Sequence, residues 1–315
     1  MVIMECFRSC GHSEDERDHM NKTLRGCFLA LAGGICWGIS GSVGQYLFTV
    51  QRMDSRWLVP VLLSCAGICL FLYCLVHERR ALFGVWRDKV CRRELIAYGI
   101  LGVASCQFFY FLTIQLAGAA MGTILQDLGP AFILLAVCAR QHRAPRPAEI
   151  LSLLLALTGV LLLTSHGSPS ALTASATALM TGVISGICVA VYNLAPAHVA
   201  KQYPMPVMLS WAFLMGGAFF ALLFRSWTIP YVPNAAGLAG IACVVVVGNI
   251  MAFSLYTAGV NAAGPVRAVL FGFSEPVTAA ILTITWFRGS FNLFDLAGFI
   301  CIFIMLMLTA RSTNS

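Results

Sequence analysis

Charge is what this sequence has least of. Only 10% of its 315 residues are Asp, Glu, Lys or Arg, against roughly a quarter in an ordinary soluble domain. A soluble core needs outer helix faces rich in Glu and Lys, and the apolar stretches between Gly26 and Ala310 have none. Histidine is scarce where chemistry inside a membrane would need it: His12, His19, His77, His142, His166 and His198 fall in tails, connections or helix ends. Gly38-Ile39-Ser40-Gly41 matches the G-x-S-G of an intramembrane serine protease, but that serine has no base at similar depth. The H-E-x-x-H, Walker and paired-cysteine motifs are absent too, so no metal, cofactor or enzyme activity is expected. The 13 cysteines are scattered, with Cys65, Cys69 and Cys74 along one apolar helix, and read as small buried apolar residues.

What is present is apolar length. The chain is 59% hydrophobic, with a mean hydropathy of +0.84. A bilayer core takes about 20 apolar residues per helix. Ten stretches meet that need, near residues 26–48, 57–76, 95–115, 118–139, 148–165, 176–199, 207–225, 236–259, 264–287 and 292–310. The expectation is an all-α integral membrane protein with ten transmembrane helices. Residues 1–21 form a polar tail with no apolar core before a cleavage site, so the first span is itself the targeting element. Met20, directly before that span, is a plausible second start of translation.

The basic residues sort by side. With the N-terminus in the cytoplasm, fifteen Lys and Arg residues fall on the cytoplasmic side, among them Arg79, Arg80, Arg140, Arg143, Lys201 and Arg311. Four, Arg52, Arg56, Arg225 and Arg288, fall outside. This asymmetry predicts a multi-pass plasma (bacterial inner) membrane protein with both termini cytoplasmic. The net charge of +7 then reflects topology and contact with membrane lipids, not nucleic acid. The His77–Glu94 connection mixes six basic residues with Leu82, Phe83, Val85 and Trp86, as suits either the inner membrane surface or a solvated loop.

An internal repeat is visible. A shift of 146 residues superposes Tyr110 on Tyr256, Ala117-Gly118 on Ala263-Gly264, Pro130 on Pro276 and Glu149 on Asp295. A shift of 148 sets Gly34, Gly38 and Gln45 on Gly182, Gly186 and Asn193. Two five-helix halves follow, at 22–166 and 176–312, with a linker at 167–175. Five is odd, so the second half enters the membrane inverted, the arrangement of alternating-access transporters with a site between the halves.

These features resemble the EamA branch of the drug/metabolite transporter superfamily. The resemblance rests on Cys36-Trp37-Gly38, Gln126-Asp127-Leu128-Gly129-Pro130 and Ser274-Glu275-Pro276-Val277, and it covers nearly all of the chain after residue 20. It implies two inverted five-helix repeats around a central cavity, and export of small metabolites. Tyr192-Asn193-Leu194-Ala195-Pro196 and Ser165-His166-Gly167 are most similar to the amino-acid exporters of that family. The chain departs from the family where an acidic residue often follows the fourth and ninth spans: Gln141 and Arg143 stand near the first place, Gly289 and Ser290 near the second. The second span, with Val59-Pro60-Val61-Leu62-Leu63, lacks an arginine often found there.

Two carboxylates fall deep within spans, Asp127 and Glu275. Facing lipid at mid-span, each would cost at least about 2.5–3.5 kcal/mol, so each should face the protein or a wet cavity. Each lies beside a span-interrupting proline, Pro130 or Pro276, which frees a backbone carbonyl. Carboxylate and free carbonyls together suit an ammonium group, a hydroxyl or a proton. Thr123, Gln126 and Asp127 share one helical face with Pro130, and Ser274 and Glu275 share another. Gln107, Tyr110, Asn249 and Tyr256 add amides and phenols, as do Tyr192, Asn193, Gln45 and Tyr46. These are the candidate substrate-binding residues, although such groups also bond helix to helix. The expected function is a secondary transporter exporting amino acids or related compounds, coupled to a gradient of substrate or protons. A channel or a receptor-like protein is the alternative.

Overall fold

In a computed structural model, the described residues are 2–165, 167, 175–285 and 292–311. They are helical and contain no strand. Most of the linker expected at 167–175, the positions around Arg288 and the last four residues lie outside them. The first half comprises α1 (Val2–Thr49), α2 (Ser55–His77), α3 (Arg79–Gly84), α4 (Lys89–Ile96), α5 (Ser105–Gln126), α6 (Gly129–Arg140) and α7 (Pro147–Ser165). The second comprises α8 (Ala176–Leu194), α9 (Val199–Gln202), α10 (Met205–Phe224), α11 (Ala235–Cys243), α12 (Ala252–Ala263), α13 (Pro265–Gly272), α14 (Ser274–Thr285) and α15 (Leu293–Arg311). Seven helical stretches are long and apolar enough to cross a membrane, and Pro147–Leu162 and Leu293–Met305 are shorter apolar helices.

The main packing runs between the halves: α1 lies on α12 and α14, α2 on α10, α5 on α8, and α7 on α15. The outer faces keep Val76, Leu222 and Leu293 exposed at 78%, 68% and 81%, as lipid contact requires.

Two glycines that the 146-residue shift pairs share an unusual backbone conformation. Gly118 and Gly264 carry φ of +84° and +85°, a conformation open to glycine and costly for a side chain. Gly118 breaks α5 into two helical stretches, and Gly264 separates α12 from α13. Two π-helical segments, Ala97–Ala104 and Val244–Met251, lead into α5 and α12. Glu149 and Asp295 do the same work in α7 and α15. Each carboxylate accepts a backbone N–H from three residues earlier, of Arg146 at 2.8 Å and of Asn292 at 2.9 Å.

Pro130 and Pro276 start new helices instead of bending continuous ones. α5 ends at Gln126 and α6 opens with Pro130 in its first turn, where a missing N–H costs nothing. α13 ends at Gly272, and α14 opens with Ser274, Glu275 and Pro276. The glycine pairs press on these breaks. A Cβ at Gly34 would lie 2.6 Å from the carbonyl oxygen of Gly272, and one at Gly38 would lie 2.6 Å from that of Glu275. On the other side, a Cβ at Gly186 would lie 3.0 Å from the carbonyl oxygen of Leu125. Only glycine lets α1 and α8 approach this closely.

The His77–Glu94 connection is not a bare loop: it holds α3 and most of α4. Leu82 and Val85 are fully buried, and Trp211 of α10 donates its indole N–H to the Leu82 carbonyl at 2.8 Å. At the opposite end, Asp54 caps α2 by accepting the Arg56 N–H at 2.8 Å and pairs with its guanidinium at 2.6 Å. The hydrogen bonds from Arg56 hold the Asp54 carboxyl below its ordinary pKa. Because the folded value is depressed, this stabilisation is present above the unfolded pKa and is lost as pH falls through the folded one. Asp54→Ala should therefore lower stability at neutral pH by about 1 kcal/mol, the usual worth of an N-cap. Thermal unfolding in detergent checks this, with a difference that shrinks in acid.

Candidate functional site

The two helix breaks flank a small cavity of about 30 Å³ in the middle of the bundle. Its wall comes from both halves: Trp37, Ser40 and Gly41 of α1, Cys106, Gln107, Tyr110, Phe111 and Gln126 of α5, Tyr192 of α8, Gly248 and Phe253 around the start of α12, and Glu275 of α14. Glu275 is 8% exposed. It accepts a hydrogen bond from the Tyr110 hydroxyl at 3.3 Å, a long contact that leaves its carboxyl only partly satisfied.

Amide pairs frame this carboxyl. Gln107 donates to Asn249 at 2.7 Å, joining α5 to the π-helical segment before α12. Gln126 accepts from Ser185 of α8 at 3.0 Å, and Ser185 also donates to the Cys106 carbonyl at 3.2 Å. Tyr256 donates to Asn193 at 3.0 Å, and Asn193 donates to the Val189 carbonyl at 2.8 Å. Two buried polar atoms, Asp127 Oδ2 and Asn249 Nδ2, have no partner among the described residues. Aromatic rings close the wall beside Tyr192. Trp37 stands 5.0 Å from Phe253 and 4.9 Å from Tyr256, and Tyr192 stands 6.0 Å from Phe253, centroid to centroid.

A second, more open space of about 370 Å³ lies at one end of the bundle, lined by Arg140, Lys201, Asn193, Tyr256, Asn261 and Pro265 among others. Tyr192 lines both spaces, so this ring and its neighbours form the partition between them.

Of the residues expected to bind substrate, Gln107, Tyr110, Gln126, Tyr192 and Glu275 line the central cavity. Asn193, Asn249 and Tyr256 join its supporting hydrogen bonds. Thr123 is buried on α5, and Asp127 sits at the break behind Gln126. The structure does not bring three others to the cavity. Gln45 is exposed near the end of α1. Tyr46 accepts from Gln51 at 2.8 Å, beside the connection to α2. Ser274 donates to the Leu31 carbonyl at 2.7 Å, stapling α14 to α1. The freed carbonyls of Gly272 and Gln126 face glycines of α1 and α8, 2.6 Å from a Cβ built on Gly34 and 3.4 Å from one built on Gly186. The cavity residues missed from sequence are Ser40, Gly41, Cys106, Phe111, Gly248, Phe253 and Trp37. Ser40 and Gly41 follow Trp37 by three and four positions on α1, a helical spacing that could have marked the face.

No group of three or more His, Cys, Asp or Glu side chains among the described residues could hold a metal. The site offers a buried carboxyl, amides, phenols and ring faces, a set suited to binding and releasing a small solute.

Comparison with known proteins agrees with this chemistry. The model of the EamA-like transporter family matches the chain twice, over residues 24–165 and 176–311. An "uncharacterized inner membrane transporter YicL" of Salmonella typhimurium is 27% identical over 295 residues, covering 94% of this chain and 98% of that protein. An "uncharacterized transporter YwfM" of Bacillus subtilis is 23% identical over 259 residues, covering 80% of this chain and 82% of that one. A solved crystal structure shares the fold with a TM-score of 0.74 at 18% identity, covering 94% of this chain and 99% of the other. The chain thus belongs to the EamA-like transporter family and is a multi-pass membrane transporter.

Proposed function

We propose that this protein is a secondary transporter that exports small metabolites, amino acids or related compounds, across the plasma membrane by alternating access. The observation that carries the reading is the cavity at the paired helix breaks, with Glu275 in its wall and each half supplying residues to it. A site shared between halves can be exposed to one side and then the other as they rock. Ten spans in two inverted repeats give that motion its symmetry. The reading is supported by the double family match and by the paired landmarks at Gly118 and Gly264. The basic residues put both termini in the cytoplasm, so the open space lined by Arg140 and Lys201 is the inner approach. The Tyr192 partition separates it from the central site. No ATP-binding motif is present in the sequence, so a gradient of substrate or protons drives transport.

Two experiments test this. Reporter fusions after Arg93 and after Arg311 should both read cytoplasm, and one after His166 should read outside. First and last fusions on opposite sides would overturn the even span count and the inversion. Efflux from loaded proteoliposomes, screened over amino acids, their derivatives and nucleobases, should give saturable movement of the amino compounds and not of the nucleobases. Movement of none would overturn the export reading.

A further inference from the structure

The chemistry of the cavity wall narrows the cargo further. We infer that the central site selects an organic monocation, an amine with an aromatic or compact apolar body, over a zwitterion of the same shape. This rests on the transport reading above and names its substrate class.

Four observations carry it. The acidic side chain that lines the cavity is Glu275, and no Lys, Arg or His lines it among the described residues. Glu275 is more than nine-tenths buried, and the hydrogen bond it accepts from Tyr110 is 3.3 Å long. A second acid, Asp127, lies close by at the α5–α6 break with one carboxyl oxygen unpartnered. The rest of the wall includes ring faces and edges of Trp37, Tyr110, Phe111, Tyr192 and Phe253.

Each feature favours positive charge. A cation against ring faces gains from their quadrupoles, more so where water is excluded. Its attraction to a carboxylate grows as the local dielectric falls. The anionic end of a zwitterion fares differently. It would meet the Glu275 carboxyl and no compensating cation, and an unpaired buried charge is strongly penalised. The cations of the approach, Arg140 and Lys201, line the separate space. The space itself is about 30 Å³, well below the ordinary size of a small-molecule site, so the cation enters as the walls move apart in the transport cycle.

The test uses three molecules of nearly one shape: L-phenylalaninamide, L-phenylalanine and 3-phenylpropionate. They are compared at mildly acidic pH, where the amide is a monocation, the amino acid a zwitterion and the acid largely an anion. Binding is read as thermal stabilisation of the purified full-length protein in detergent, and transport as competition in proteoliposomes. The amide should bind about tenfold or more tightly than phenylalanine, the ratio set by roughly 1.4 kcal/mol, and phenylpropionate should not bind. Glu275→Gln should remove the preference for the amide, and Glu275→Asp, which retains the charge, should keep much of it. Phenylalanine binding as tightly as the amide would overturn the inference and leave the export reading standing. Survival of the preference in Glu275→Gln would overturn it as well. Failure of all three to bind would overturn the inference, while the broader efflux screen still decides the export reading.

Discussion

Glu275→Gln is expected to cut net transport by about tenfold or more, the loss that accompanies roughly 1.4 kcal/mol of interaction. The substitution keeps the shape of the side chain and its contact with Tyr110 but removes the charge that faces the cavity. The protein should still fold and insert at near-normal levels, because a buried carboxylate costs stability in a membrane. The pH profile of whatever transport remains should flatten, since the group proposed to take up and release a proton or a cation is gone. Asp127→Asn should have a smaller effect. Asp127 stands behind Gln126, which lines the cavity itself and keeps offering a polar contact there. Initial rates across a pH series, normalised to protein in the membrane, check both. A wild-type rate and profile in Glu275→Gln would make Glu275 a residue of the helix break alone.

The largest stability effect is expected at the glycine faces. At Gly38 even a methyl group would sit 2.6 Å from the Glu275 carbonyl oxygen and 2.7 Å from Thr278 Cβ. Gly38→Leu must push α1 off α14, at a cost of about 1–3 kcal/mol or more for overpacking a tight contact. Lower thermal stability and a lower yield of monodisperse protein are the readouts. Gly41→Ala is the contrast, because a Cβ there meets nothing closer than the Tyr110 hydroxyl at 3.4 Å. That variant should stay folded but narrow the cavity and slow transport. A Gly38→Leu protein as stable as the wild type would mean that α1 and α14 are not in close contact.

Much of this architecture is legible in the sequence because membrane helices leave few choices. Apolar length marks the spans. A carboxylate inside a span must find protein or water, so Asp127 and Glu275 stand out as interior residues from the amino-acid order alone. Proline marks the breaks, and the glycine pairs mark the close approaches. The ring faces are harder to read. Trp37, Phe111 and Phe253 sit on helices that are apolar all round, and in such helices periodicity does not separate lipid, core and cavity. Matching Gln45 to Asn193 across the repeat draws Gln45 and Tyr46 toward the site. The cavity face of α1 lies earlier, at Trp37, Ser40 and Gly41. The π-helical segments before α5 and α12 carry no sequence signature, yet Gln107 closely follows the first and Asn249 lies within the second. Ser274 shows the remaining ambiguity: the same hydroxyl suits a ligand or a neighbouring helix, and it caps a carbonyl of α1.

The central claim is a carrier with one site exposed alternately to each side, and counterflow tests it most directly. Proteoliposomes preloaded with an unlabelled transported amine or amino acid, diluted into trace labelled substrate, should accumulate label transiently above equilibrium. Protein-free vesicles should not, and Glu275→Gln should lose most of the signal. Label that only equilibrates, at a rate indifferent to the preload, would contradict the account and identify a pore.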